Sequence, residues 1–211
     1  MDSLTEDLIN NKISTEEIYA MSDDPWNQSC MLCKEKKNIV KFLADYANRF
    51  LRCKKIMDIG CGNGGYCNFL KNHTFYKKII GIDNATNAIV KARNLHKDIQ
   101  EISFDVIDIT ERTNITKINE HKPDIFLMSD ITWCIIEHIS EFRRYLKENH
   151  KGKYLLHLII LPQHQNITPL ITDHQSVLNF FKFKYIFDGE FYKNSTNDEI
   201  KSVSYFLAKI Q

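Results

Sequence analysis

Four of the seven glycines in this sequence stand at Gly60, Gly62, Gly64 and Gly65. The apolar run Ile56-Met57-Asp58-Ile59 precedes them, and Tyr66, Cys67, Phe69 and Leu70 follow, so the pattern predicts a strand leading in and a helix leading out. Glycine tolerates positive φ and has no Cβ, which lets such a turn be tight and its backbone touch a ligand. The helix beyond it offers free N–H groups and a positive dipole end, suited to a carboxylate or a phosphate. Gly60, Gly62 and Gly65 also fit the G-x-G-x-x-G spacing of dinucleotide sites, so the glycines alone do not choose the ligand. Asp58 helps to choose. Its carboxylate would be repelled by a pyrophosphate, whereas an amino-acid end bearing an ammonium group would be attracted.

More acids stand at the ends of apolar runs. Asp83 and Asn84 close the run Lys78 to Ile82. A carboxylate there can accept hydrogen bonds from both ribose hydroxyls, although Asp and Asn would also serve as N-caps for a helix starting near Ala85. Asp108 and Ile109 follow the run Ile102 to Ile107. Ser129 and Asp130 end the run that starts at Asp124, ahead of Ile131, Thr132 and Trp133. A carboxylate such as Asp130 can hold an amine nucleophile and stabilise the cation it becomes, and His138, a little further on, is a candidate base. No G-x-x-x-x-G-K-[ST], H-E-x-x-H or Ser-His-Asp pattern occurs, and Cys30 and Cys33 form a lone CxxC, so no metal is expected.

These residues need a framework that brings strand ends together. Strands are predicted at Lys55 to Ile59, Lys78 to Ile82, Ile102 to Ile107, Asp124 to Ser129 and Lys153 to Leu161, with helices between them, such as Ala85 to His96 and the stretch from Ile135 to Leu146. A helix over Thr172 to Phe181 precedes two last strands, Lys182 to Phe187 and Ile200 to Lys209. Ahead of all this, Leu4, Leu8 and Ile9 predict a short helix, Met31 to Phe50 a longer one, and Ser22 to Asn27 a turn. The expected fold is α/β: a Rossmann-like, seven-stranded, mainly parallel sheet with helices on both faces and an antiparallel edge strand. One domain spans 1–211, with a helical cap over 1–50 and the core over 55–211.

The chain has 28 basic and 27 acidic residues, a net charge of +1 and 43% hydrophobic residues, which gives no footprint for nucleic acid or an anionic membrane. The basic run Lys34, Lys36 and Lys37 reads as a solvated helix face. No stretch approaches the roughly 20 apolar residues of a membrane helix, and the N-terminus has no signal-peptide pattern, so a cytoplasmic address is expected.

The segment D-x-G-x-G-x-G formed by Asp58, Gly60, Gly62 and Gly64 resembles motif I of the class I S-adenosylmethionine-dependent methyltransferases, and the order of the later parts is similar from residue 55 to 161. The resemblance implies S-adenosylmethionine as cofactor, with Asp58 toward its amino group, Asp83 and Asn84 toward the ribose, Asp108 and Ile109 toward the adenine, and Ser129 beside it. Asp24-Pro25-Trp26-Asn27 and Ser129-Asp130-Ile131-Thr132-Trp133 further resemble the nodulation-factor (sugar) N-methyltransferases, where Asp130 replaces a Glu and Trp133 a Tyr. This implies a small-molecule or sugar substrate methylated on an amino group, with Asp130 and His138 as catalytic candidates and Trp26, Trp133 and His164 on the substrate side. An O-methyltransferase, an NAD(P)-dependent oxidoreductase and a non-enzymatic binding domain are the alternatives that the sequence leaves open.

Overall fold

Strand formation follows the β-branched and apolar runs. The computed structural model describes residues 13–26, 34–161, 170–194 and 200–211. The strands are β1 (Lys55–Ile59), β2 (Lys78–Asp83), β3 (Ile102–Val106), β4 (Ile125–Ser129), β5 (Tyr154–Ile160), β6 (Lys184–Asn194) and β7 (Ile200–Lys209). They form one sheet in the order β3-β2-β1-β4-β5-β7-β6. β1 to β5 are mutually parallel, and β7 runs antiparallel to both β5 and β6. The expected seven-stranded, mainly parallel sheet is present, and its reversed strand lies one place in from the rim. Strand order turns back on itself between β1 and β4, which opens a crevice at the carboxyl ends of those strands.

The helices are α1 (Thr15–Met21), α2 (Lys34–Arg49), α3 (Gly65–His73), α4 (Thr86–Leu95), the single turns α5 (Arg112–Ile115) and α6 (Ile118–His121), α7 (Ile139–Asn149) and α8 (His174–Phe181). Side chains alternate across a strand, so Ile56 packs with Val40, Leu43, Leu70 and Ile89 from α2, α3 and α4, whereas Met57 and Ile59 pack with Phe142, Leu146 and Phe181 from α7 and α8. Helices thus cover both faces.

Some local features depart from the sequence expectation: β6, expected over Lys182 to Phe187, runs over Lys184–Asn194. The helix expected from Ile135 starts later, because Thr132–Ile135 forms a 3₁₀ turn ahead of α7. In addition, α1 was not foreseen. It is set by a capping box in which Ser14 Oγ accepts from the Glu17 N–H at 3.2 Å and Glu17 Oε2 accepts from the Ser14 N–H at 2.8 Å. Its apolar residues, Ile18 to Met21, are consecutive and gave no helical stripe to read. The helix predicted around Leu4 to Ile9, the Cys30–Cys33 pair and His164 lie outside the described residues. Among the described residues, no helix is long and apolar enough to cross a membrane.

Candidate active site

The loop after β1 is built by backbone hydrogen bonds that require its glycines. Gly60 and Cys61 both donate N–H to the Ile82 carbonyl, at 2.8 and 3.0 Å, and Gly64 donates to Cys61 O at 2.9 Å. Gly60, Gly62 and Gly64 have φ of 71°, 54° and 87°, in the left-handed region. At Gly60 there is also no room: a Cβ would stand 2.3 Å from Ile131 Cγ2, so the loops after β1 and β4 touch across the crevice.

Asp83 staples this loop to the next helix. Its Oδ2 accepts from the Gly62 N–H at 2.9 Å and its Oδ1 from the Ala85 N–H at 3.0 Å, while the residue is 8% exposed. Burial pushes its pKa up, against these N–H bonds, which favour the charged form. A carboxylate has about four acceptor positions, so two remain for a ligand's hydroxyl groups. Asn84 Oδ1 accepts from Thr15 Oγ1 at 3.0 Å, which ties α1 to the rim of the site. Glu16 accepts the Asn87 N–H, and Lys91 Nζ donates to Tyr19 O and Ser22 O, so α1 is held along α4. Tyr19 is buried against Ala85 and Ala88, and its ring lies 5.3 Å from that of Trp26.

Asp58 is buried beneath the loop, and Cys67 Sγ approaches its Oδ2 at 3.6 Å. Burial pushes its pKa up to about 7. An ammonium brought to this carboxyl would draw it back to the charged form. Asp108 accepts from the Thr110 N–H at 2.8 Å and from Thr110 Oγ1 at 2.7 Å, forming a turn after β3, and Ile109 packs against the core beside it.

The far wall of the crevice follows β4. Asp130 takes the left-handed conformation, φ 62°, its N–H bonded to Leu158 O at 3.0 Å. Its Oδ1 accepts from the Ile160 N–H at 3.1 Å, and its Oδ2 pairs with Lys36 Nζ. Ser129 Oγ reaches Tyr66 OH at 3.3 Å and Asp130 Oδ2 at 3.4 Å. Thr132 Oγ1 meets His157 Nε2 at 2.8 Å in the core, where burial drives the histidine pKa down to about 3 and keeps the ring neutral.

The strand ends therefore bring together Asp58, Gly60, Gly62, Gly64, Asp83, Asn84, Asp108, Ile109, Ser129 and Asp130. Trp26 joins them through Tyr19. Trp133 does not offer a face to this crevice: it is 4% exposed, packed in the core, and its Nε1–H is given to Ile160 O at 2.8 Å. His138 is exposed at the N-terminal cap position of α7. Lys36 corrects the reading of Lys34, Lys36 and Lys37 as a solvated face, because it is only 7% exposed. The signal was present, since Lys36 lies on the same helical stripe as Val40, Leu43 and Ala47. Tyr66 was read only as an apolar residue of the helix after the glycines. Among the described residues, no three His, Cys, Asp or Glu side chains are grouped so as to hold a metal ion.

The pKa of Asp58 gives a direct expectation. A carboxyl with a raised pKa in the folded state binds a proton that the unfolded chain has already lost, so its contribution lowers stability as pH rises from about 4 to about 7. If a ligand's ammonium pairs with charged Asp58, affinity for S-adenosylhomocysteine should rise by up to about tenfold per pH unit below 7 and then level off. Calorimetric titration from pH 5.5 to 7.5 measures this. Asp58→Asn should flatten the profile, and a flat profile for the unaltered protein would separate Asp58 from the ligand.

A family model for the methyltransferase domain matches residues 52–197. No curated protein sequence matches the chain. Among solved structures, the N-methyltransferase NodS from Bradyrhizobium japonicum, in complex with S-adenosylhomocysteine, superposes with a TM-score of 0.66 at 15% identity, covering 98% of this chain and 99% of that one. A SAM-dependent methyltransferase from Anabaena variabilis gives 0.63 at 13% identity, covering 100% and 96%. TehB from Haemophilus influenzae gives 0.60 at 18%, covering 89% and 66%. These likenesses establish the Rossmann-like fold, and the family model adds the chemistry. The glycine loop, the acids at the ends of β1 and β2 and the match over residues 52–197 make the chain a member of the methyltransferase-domain family, and so an S-adenosylmethionine-dependent methyltransferase.

Proposed function

We propose that this methyltransferase acts on an amino group of a small polar acceptor, such as an amino sugar or a glycan precursor. The observation that carries this reading is Asp130, a carboxylate held at the end of β4 by the Ile160 N–H and by Lys36. The resemblance of the Asp130 and Trp26 segments to sugar N-methyltransferases and the fold likeness to NodS, described as an N-methyltransferase, support it.

The geometry suits an amine. Bound S-adenosylmethionine supplies an activated methyl group for in-line displacement, which leaves the protein to align the acceptor and handle its proton. Asp130 then accepts a hydrogen bond from the nitrogen and stabilises the charge that grows on it. Ser129 and the Ile160 N–H keep that carboxylate oriented. Asp83 holds the loop and has acceptor positions free for the ribose, and Trp26 is placed with α1 on the rim.

The test is incubation of the protein with isotopically labelled methyl donor and a panel of amino sugars and their hydroxyl counterparts, followed by mass spectrometry. Label is expected on nitrogen, with EDTA present. Label on oxygen or on a protein side chain would refute the amine reading, and dependence on added magnesium would favour a metal-assisted O-methyltransferase.

A further inference from the structure

A groove between α2 and α3, outside the crevice described above, is lined by Lys34, Lys37, Asn38, Lys41, Phe69 and His73 and has a volume of about 330 Å³. Sites for small molecules begin at about this size. Lys34, Lys37 and Lys41 recur at helical spacing on one face of α2, an arrangement of like charges that destabilises a helix unless a counter-charge is brought to it. The chain as a whole has a net charge of only +1, so the concentration of charge is local. Among the described residues, none of the three has an acidic partner. Of the carboxylates nearby, Asp45 pairs with Arg49 at 2.8 Å and Asp130 with Lys36, and Glu35 stands beside Lys34 in the first turn of α2 without bonding any of the three lysines.

The opposite wall supplies a flat, partly polar surface. Phe69 and His73 stack with ring centroids 4.3 Å apart and 28° between planes, and His73 Nδ1 bonds Phe69 O at 2.8 Å. Such a surface suits the face of a sugar or a base. The two helices that wall the groove also reach the crevice, by residues on their buried sides. Lys36, between the lining residues Lys34 and Lys37, pairs with Asp130, and Tyr66, one turn ahead of Phe69 and in edge contact with it at 6.5 Å, is the residue that Ser129 Oγ reaches.

We infer that the groove between α2 and α3 seats a phosphate-bearing part of the methyl acceptor, and so selects phosphorylated amines, either a sugar phosphate or a sugar nucleotide, over uncharged ones. This rests on the amine reading above for the reacting end of the molecule, but the anion site can be tested apart from it. Lysine ammonium groups bind phosphate oxygens through charge-assisted hydrogen bonds, and Asn38 adds a further donor.

The experiment has two parts. Sodium pyrophosphate is titrated calorimetrically into the full chain loaded with S-adenosylhomocysteine. It should bind, more weakly as salt is raised, and Lys37→Glu/Lys41→Glu should bind it at least about tenfold less tightly with S-adenosylhomocysteine affinity unchanged. Lys37→Gln/Lys41→Gln serves where the double charge reversal lowers the melting temperature. Labelled methyl transfer is then compared for glucosamine, glucosamine 6-phosphate and UDP-glucosamine. One of the two phosphorylated acceptors should show a KM at least about tenfold below that of glucosamine, and the lysine variants should remove that advantage. The better of the two identifies the phosphate source. Absence of pyrophosphate binding, binding that survives both lysine variants, or equal KM for all three amines overturns the inference. Pyrophosphate binding that depends on the lysines, with no amine methylated, upholds the anion site and removes the amine reading instead.

Discussion

Asp130→Asn should lower turnover by about two orders of magnitude while leaving the dissociation constant for S-adenosylhomocysteine within about threefold of its original value. The substitution isolates charge. Asparagine tolerates the left-handed backbone that Asp130 adopts at φ 62°, and its amide oxygen can still accept the Ile160 N–H. What it loses is the negative charge facing Lys36 and, in the proposed reaction, the ammonium that forms on the acceptor. A partly buried lysine deprived of its partner also costs stability, so Tm should fall as well. Lys36→Met combined with Asp130→Asn separates the two effects: the double variant should regain Tm and stay slow. Full turnover in Asp130→Asn would remove the carboxylate from the chemistry, and recovery of rate in the double variant would make Asp130 only the partner of Lys36.

Asp83→Ala is expected to act on both ligand and fold. Loss of two hydrogen bonds to an ionised acceptor should weaken S-adenosylmethionine binding by about 2–4 kcal/mol, or about 30- to 1000-fold in dissociation constant. The same change strands the N–H groups of Gly62 and Ala85, which are 2.9 and 3.0 Å from the carboxylate. Each orphaned donor costs about 1–3 kcal/mol, so the two together should lower Tm by about 4–24 °C. Asp83→Asn is no gentler, because its NH₂ must face one of two N–H donors. Calorimetry and thermal unfolding on the same samples resolve the contributions. A lowered Tm with unchanged affinity would leave Asp83 a staple of the loop and take it out of the cofactor site.

The sheet was legible because its strands are uniform apolar runs bounded by glycine, proline and short polar residues, and β1 starts and ends where the pattern placed it. The glycine loop and the acids beside it were legible for a related reason, since Asp58, the glycines and Asp83 are contiguous with strand ends and their spacing is local. The wall that follows β4 was not. Asp130 could be picked out, but its partner Lys36 comes from 94 residues earlier, and a lysine among lysines reads as solvent-facing until packing shows otherwise. The resemblance implied a substrate-side position for Trp133, yet its place after β4 turns it into the core, where its indole N–H satisfies a β5 carbonyl. Tyr19 was missed because α1 is short and its docking depends on Lys91 and Asn87, far along the chain.

The turning point in strand order between β1 and β4 also bears on how the molecule folds. Ile56 pairs with Ile125, whereas β6 and β7 are neighbours in sequence. Closing the long connection costs more chain entropy than closing the hairpin, and non-local parallel pairings form slowly. The crevice walls are made by that one distant pairing, with Ile131 resting on Gly60. Competence to hold a ligand should therefore come late in folding, after the helices and the hairpin, an order that amide protection followed during refolding would report.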